Sequence, residues 1–247
     1  MLQAIGIRKQ FSQVKALDDI ELQVRPGRIT MLVGPSGAGK TTLLKVMGFL
    51  EAPDEGKIAF GGSTFTYPLR EGHPVPSPWP DVTLVFQQHF LWPHLTIREN
   101  ILLPARHRKL SGIDERYRDL VEALELGTFA DRYPNETSLG QRQRAAIARA
   151  LILEPKFLLL DEITSALDVE QIEQLFKHLL FLRSRGIGIL VVTHLLGLAR
   201  ELLRIHPDDE IAFMEEGRIL GRGGLEFLSN PADPRIAEFF QQMRFAT

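Results

Sequence analysis

Residues 34–41 read Gly34-Pro35-Ser36-Gly37-Ala38-Gly39-Lys40-Thr41, directly after the apolar run Ile29-Thr30-Met31-Leu32-Val33. The pattern G-x-x-x-x-G-K-[ST] stands between a predicted strand and a predicted helix, and that context decides the fold. Glycines let the backbone curl until several N–H groups face one anion. A helix starting near Lys40 adds the positive end of its dipole. The spacing assigns residues 34–42, from Gly34 to Thr42, to a phosphate loop. Lys40 is expected to reach β- and γ-phosphates, and the Thr41 hydroxyl to bind Mg²⁺. The alternative, a plain glycine-rich turn, leaves the flanking strand and helix unexplained.

Bulk composition narrows the class. The 247 residues carry 44 % hydrophobic and 24 % charged side chains, an ordinary globular balance with ample material for a core. A formal net charge of −2 offers no basic field, so no nucleic-acid partner is expected. With no cysteine, disulfides and thiolate metal sites are excluded. The first residues, Met1-Leu2-Gln3-Ala4-Ile5-Gly6-Ile7-Arg8-Lys9, lack the apolar core of a signal peptide. No apolar run approaches a membrane span of about 18 residues. A soluble chain is therefore expected, with any membrane role running through a partner.

Four runs, at 29–33, 83–86, 157–160 and 187–193, are almost continuously apolar instead of alternating. Strands buried on both faces, as in a parallel sheet between helices, read this way. Shorter strands are predicted at 2–7, 20–24 and 57–60, punctuated by Pro26-Gly27 and Asp54-Glu55-Gly56. Helical periodicity marks 40–49, 113–126, 139–153 and 169–183. Residues 61–81, rich in Pro and Gly, read as a surface loop with neither strand nor helix. The stretch 88–153 reads as a helical subdomain inserted between core strands. Near the end, Ile236, Phe239, Phe240 and Met243 form an i, i+3, i+4, i+7 stripe expected to pack on the core.

Each predicted core strand ends in polar groups. Phe86 leads to Gln87 and Gln88, Leu160 to Asp161 and Glu162, and Val192 to Thr193 and His194. In open α/β sheets, ligands bind beyond the carboxyl ends of the strands. Asp161 is the expected carboxylate on the Mg²⁺ side. Glu162 is placed to take a proton from, or to orient, an attacking water. Gln87 is assigned to Mg²⁺ or to that water, and His194 to the γ-phosphate. A lone His at a strand end is more often structural, and the neighbouring groups tip that balance. Thr137-Ser138-Leu139-Gly140-Gln141-Arg142-Gln143-Arg144 is a capped helix start with a basic first turn, a second anion site in a chain with one phosphate loop. A symmetric dimer resolves this, each helix meeting the nucleotide held by the other copy.

The order of these motifs resembles the ATPase subunit of ABC transporters over nearly the whole length: the phosphate loop, Gln87, the signature at 137–141, Asp161-Glu162, Ser165-Ala166-Leu167-Asp168 and His194. The run from Gln141 to Leu151 is very specific to that family. The resemblance implies an α/β fold, a RecA-like P-loop NTPase core with a mainly parallel sheet. An N-terminal antiparallel β subdomain and an inserted α-helical subdomain accompany it. A single domain over 1–247 follows, with 1–87 and 155–247 as the core and 88–154 as the helical signature unit. The same resemblance implies ATP and Mg²⁺ as ligands, Phe11 stacking on adenine, and head-to-tail dimers that clamp two ATP. Ser138, Gly140 and Gln141 would complete the partner copy's site. The implied partners are a second copy of the ATPase, transmembrane permease subunits and an extracytoplasmic substrate-binding protein. The implied location is the cytoplasmic face of the cell membrane.

Val85-Phe86-Gln87-Gln88, Leu91-Trp92-Pro93-His94-Leu95-Thr96 and Leu198-Ala199-Arg200-Glu201 are similar to polar amino-acid uptake ATPases. Residues 88–100, with Phe90 and Trp92, would then line the groove for a membrane subunit. Leu139 stands where the family has Gly, Ile163 where Pro is common, and Leu195 where an acid is common; Leu139 is expected to be tolerated. A soluble ABC-type regulatory or assembly ATPase is the alternative function. A small-molecule kinase leaves Ser138–Arg144 and His194 without roles.

Overall fold

The computed structural model describes residues 1–69, 76–162 and 169–244. Among the described residues, ten strands form two sheets. β1 (Leu2–Phe11), β2 (Val14–Val24), β4 (Glu55–Phe60) and β5 (Ser63–Tyr67) make an antiparallel sheet in the order β2-β1-β4-β5. β3 (Ile29–Val33), β6 (Val82–Val85), β7 (Phe157–Asp161), β8 (Gly188–Val192), β9 (Glu210–Glu215) and β10 (Arg218–Gly223) make the second, ordered β10-β9-β3-β8-β7-β6. Its neighbours are parallel except for the β9–β10 hairpin. This is the expected α/β core with its N-terminal antiparallel sheet.

The helices are α1 (Lys40–Met47), α2 (Ile97–His107), α3 (Ile113–Ala123), α4 (Leu139–Leu151), α5 (Val169–Ser184), α6 (Leu196–Ile205), α7 (Leu225–Ser229) and α8 (Pro234–Arg244). Three of them, α2 to α4, fall between β6 and β7. Thr96 opens α2 with a capping box shared with Glu99.

Continuously apolar strands arise because the parallel sheet serves two cores. Met31, Val33, Leu158, Leu160, Ile189 and Val191 pack toward one side, with residues of α2, α4, α5 and α6. Leu32, Leu159, Leu190 and Val192 pack toward the other, against α1 and the antiparallel sheet. Neither face meets water, so alternation has no cause. The C-terminal stripe packs as expected: Phe239 and Phe240 meet Phe213 of β9 at centroid distances of 5.0 and 6.1 Å.

The expectation that 61–81 holds no strand is wrong. β5 pairs with β4 across Gly61-Gly62, both at positive φ. Such a pair makes the tight turn whose twist suits a hairpin. Ser63-Thr64-Phe65-Thr66-Tyr67 is β-branched and aromatic, and the prolines begin only at Pro68. β1 and β2 also run farther than predicted, since their polar outer halves pair around the turn at Ser12. β9 and β10 are joined by Glu216-Gly217, again both at positive φ.

Candidate active site

The loop after β3 is confined on two sides by backbone. A Cβ on Gly34 would lie 1.9 Å from the carbonyl oxygen of Met214 on β9, and one on Gly39 would lie 2.3 Å from that of Ala16 on β2. Gly217 N–H, in the β9–β10 turn, donates to the Ala38 carbonyl at 3.1 Å. Close approach of three chain segments therefore requires glycine here.

Inside this curl Lys40 is 5 % exposed. Its ammonium donates to the carbonyls of Gly34 and Pro35, both at 2.8 Å. Burial lowers the Lys40 pKa, and the charges of Glu162 and Asp161 work against that shift. Thr41, one residue on, donates its hydroxyl to Asp161 Oδ1 at 3.2 Å. Asp161 is buried at the end of β7, and burial raises its carboxyl above the usual range, opposed by the Thr41 hydrogen bond. Glu162 follows with φ 47°, its N–H donating to the Val192 carbonyl at 3.1 Å. That bond ties the end of β7 to β8, and Glu162 Oε1 lies 2.8 Å from His194 Nε2.

Ser36, Gly37, Gly39, Lys40, Thr41, Thr42 and Glu162 line one cleft of about 500 Å³. Val14, Lys15, Ala16, Glu216 and Gly217 wall the same cleft. Sequence reasoning missed that wall. Glu216-Gly217 marks a hairpin and an irregular loop equally well, and its closeness to residue 38 is set by topology alone. A buried ammonium and the N-terminus of α1, which starts at Lys40, suit a polyphosphate. A hydroxyl and a carboxylate at 3.2 Å are hard oxygen donors suited to a divalent cation.

Other predicted residues stand elsewhere. Phe11 is 46 % exposed at the end of β1, and Gln87 is exposed just beyond β6. Ser138 caps α4 in a reciprocal box, its Oγ accepting from Gln141 N–H at 3.2 Å while Gln141 Oε1 accepts from Ser138 N–H at 2.9 Å. Ser138, Gly140 and Gln141 line a separate cavity with Gln174 and His178. Leu139 is 36 % exposed, so its side chain is not sunk in the helical core. Residues 163–168, which include Ile163 and Ser165–Asp168, lie outside the described residues.

The segment after Gln87 is held from α4. Arg149 donates to the carbonyls of His89 at 2.6 Å and Phe90 at 2.7 Å. Both residues have positive φ, 58° and 45°. Phe90 and Trp92 are exposed, and Trp92 lines an apolar cleft of about 420 Å³ with Trp79, Leu103, Pro104 and Leu153.

Fold and cleft together define a phosphate-loop nucleotide-binding protein with a six-stranded core sheet. Comparison with known proteins narrows this. A family model described as ABC transporter matches residues 17–165. The glutamate transport ATP-binding protein GluA of Corynebacterium efficiens is 37 % identical over 243 residues, covering 97 % of each chain. The glutamine transport ATP-binding protein GlnQ of Escherichia coli is 34 % identical over 98 % of this chain and 100 % of its own. The spermidine/putrescine import ATP-binding protein PotA of Chromobacterium violaceum is 39 % identical over 98 % of this chain and 65 % of its own. A solved dimeric cassette, MJ0796 in a post-hydrolysis state bound to ADP and Pi, superposes with a TM-score of 0.79 at 31 % identity, covering 91 % of this chain and 99 % of that one. The chain belongs to the ABC transporter family, as its nucleotide-binding cassette.

Proposed function

We propose that this chain hydrolyses ATP within a head-to-tail dimer and so drives an uptake system for polar amino acids. The observation that carries the hydrolytic part is the Glu162–His194 contact at 2.8 Å beside a phosphate loop holding Lys40 and Thr41. In this reading Lys40 leaves the Gly34 and Pro35 carbonyls for the β- and γ-phosphate oxygens. The loop N–H groups from Gly37 to Thr42 take the remaining phosphate charge. Glu162 accepts the proton of the attacking water, and His194 holds that carboxylate in place and faces the γ-phosphate. Ser138, Gly140 and Gln141 of a second copy close the site from above. Each donor aimed at developing charge contributes about 3 kcal/mol to the transition state.

Thr41, Asp161 and Gln87 would hold Mg²⁺, in keeping with their oxygen donors. The ion would supply charge neutralisation on the phosphates. Exposed Phe90 and Trp92 support docking of a permease subunit, which would keep the chain at the inner membrane face. No described helix is long and apolar enough to cross a membrane. An extracytoplasmic substrate-binding protein would complete an importer. The amino-acid assignment rests on relatives named for glutamate, arginine and glutamine transport.

Turnover of Glu162→Gln tests the hydrolytic part. ATP binding is expected to persist while hydrolysis falls about 10²-fold or more; near-normal turnover would reject the role. Recovery of the chain from native membranes with a multi-span permease, and the amino acid which that complex accumulates, tests the transport part.

A further inference from the structure

Phe11 closes β1, whose outer residues pair with an irregular stretch of β2. The β1–β2 register slips between Ile7 and Lys9 and again between Lys9 and Gln10. Residues two apart on a strand share a face. Lys9 and Phe11 use this, with the ammonium 5.1 Å from the ring centroid. That ammonium is no loose surface charge, since the Lys9 side chain is only 12 % exposed. Its Nζ donates to the Ala52 carbonyl at 2.8 Å and to Asp54 Oδ1 at 3.3 Å, and it lies 2.9 Å from Glu51 Oε1. The Glu51 hydrogen bond leads the causes that raise the Lys9 pKa, so the charge is kept.

Asp54 also grips the strand backbone. It accepts Gln10 N–H on Oδ2 at 2.7 Å, while its own N–H donates to the Arg8 carbonyl at 2.9 Å. On the other side, the N–H groups of Leu50 and Glu51 donate to the Lys45 carbonyl at 2.9 and 3.3 Å. Segment 51–54 therefore hangs from the end of α1, whose first residue is Lys40. Contacts run without a break from the phosphate loop, through α1 and 51–54, to Lys9 and the Phe11 ring.

We propose that Lys9 is a positioning residue for the nucleotide base, covering one face of Phe11 and fixing the ring relative to the phosphate loop so that the other face receives the base. This rests on the reading of Phe11 as the adenine-stacking residue. An aromatic ring is negative on its faces. A cation seated on one face draws that density toward itself, so a purine stacks on the open face with less repulsion. The clamp also removes the freedom of an exposed ring, which binding would otherwise have to freeze.

Calorimetric titration of the full chain with MgATP and with inorganic tripolyphosphate separates base from phosphate binding. Phe11→Ala and Lys9→Met are each expected to weaken MgATP binding about three- to tenfold, with tripolyphosphate binding unchanged. The double variant should bind MgATP no more weakly than Phe11→Ala, because the cation acts only through the ring. Lys9→Arg should keep most of the affinity. Wild-type MgATP affinity in Lys9→Met, alongside a loss in Phe11→Ala, would overturn the proposal. So would equal losses for MgATP and tripolyphosphate in Lys9→Met, which would place the contribution in 51–54 and α1. Unchanged affinity in Phe11→Ala would instead remove the assignment of Phe11 itself.

Discussion

Adding one methyl group at Gly34 should break the join between the phosphate loop and the sheet. The new Cβ would sit 1.9 Å from the Met214 carbonyl oxygen, where real Cβ atoms keep 3.0 Å or more. The obstacle is backbone in a parallel pair, Val33 with Phe213 and Leu32 with Ala212, so no side chain can swing aside. Relief requires β3 and β9 to part by about 1 Å, in an interior packed to crystal density. That separation stretches about two ladder hydrogen bonds past useful length, at about 1 kcal/mol each. Holding alanine at φ 151° adds about 1–3 kcal/mol. The total of about 3–5 kcal/mol is a large share of a domain's stability of about 5–15 kcal/mol. Urea unfolding followed by the fluorescence of Trp79 and Trp92 measures it, and the midpoint should fall by at least about 1 M. Gly37→Ala is the internal control. Its Cβ would meet nothing within 4 Å, so only the cost of φ 80°, about 1–2 kcal/mol, remains. A Gly34→Ala midpoint within about 0.3 M of wild type, or a larger loss in Gly37→Ala, would refute the reasoning.

Arg183→Met should destabilise by about 3–5 kcal/mol in the same unfolding assay, because it strands a buried charge. The Asp209 side chain is 0 % exposed and accepts Arg183 Nε at 3.0 Å and Ile29 N–H at 2.9 Å. His89 makes stability depend on pH: burial first, then Arg142 and Arg149, push its pKa down to about 4 from 6.5. The unfolded chain takes a proton in that window which the folded chain refuses, so stability is complete above pH 6.5. It declines by about 3 kcal/mol as pH falls to 4. Unfolding midpoints of His89→Gln should fall less steeply between pH 7 and 5 than those of the wild type, and equal slopes would contradict this. His194→Ala should cut steady-state turnover by about 10²-fold with the ATP dissociation constant unchanged; a pure loss of binding would place His194 outside the hydrolytic step.

The strands that bear the site were legible because they are buried on both faces. Met31, Leu32 and Val33 must all be apolar when successive residues enter different cores. The phosphate loop was legible because its glycines, Lys40 and Thr41 sit within eight residues of sequence. β5, β9 and β10 were not, since Gly61-Gly62 and Glu216-Gly217 mark a hairpin and an irregular loop equally well until the flanking residues are seen to pair. Long-range closeness was out of reach. Nothing local places Glu216 in the same cleft as Ser36, or sets Arg149 on the carbonyls of His89 and Phe90. Phe11 entered only through family resemblance. An aromatic residue at a strand end has no pattern of its own, and its Lys9 cover became visible only in the side-chain contact itself.

Closure of two copies over nucleotide rests on a capped helix N-terminus at Ser138 that lies in a different cavity from the phosphate loop. Small-angle X-ray scattering of Glu162→Gln at saturating MgATP tests it most directly. A particle of twice the chain's mass is expected, reverting to one chain when Ser138 is changed to Arg. Single chains throughout, or a dimer indifferent to both ATP and Ser138→Arg, would contradict it.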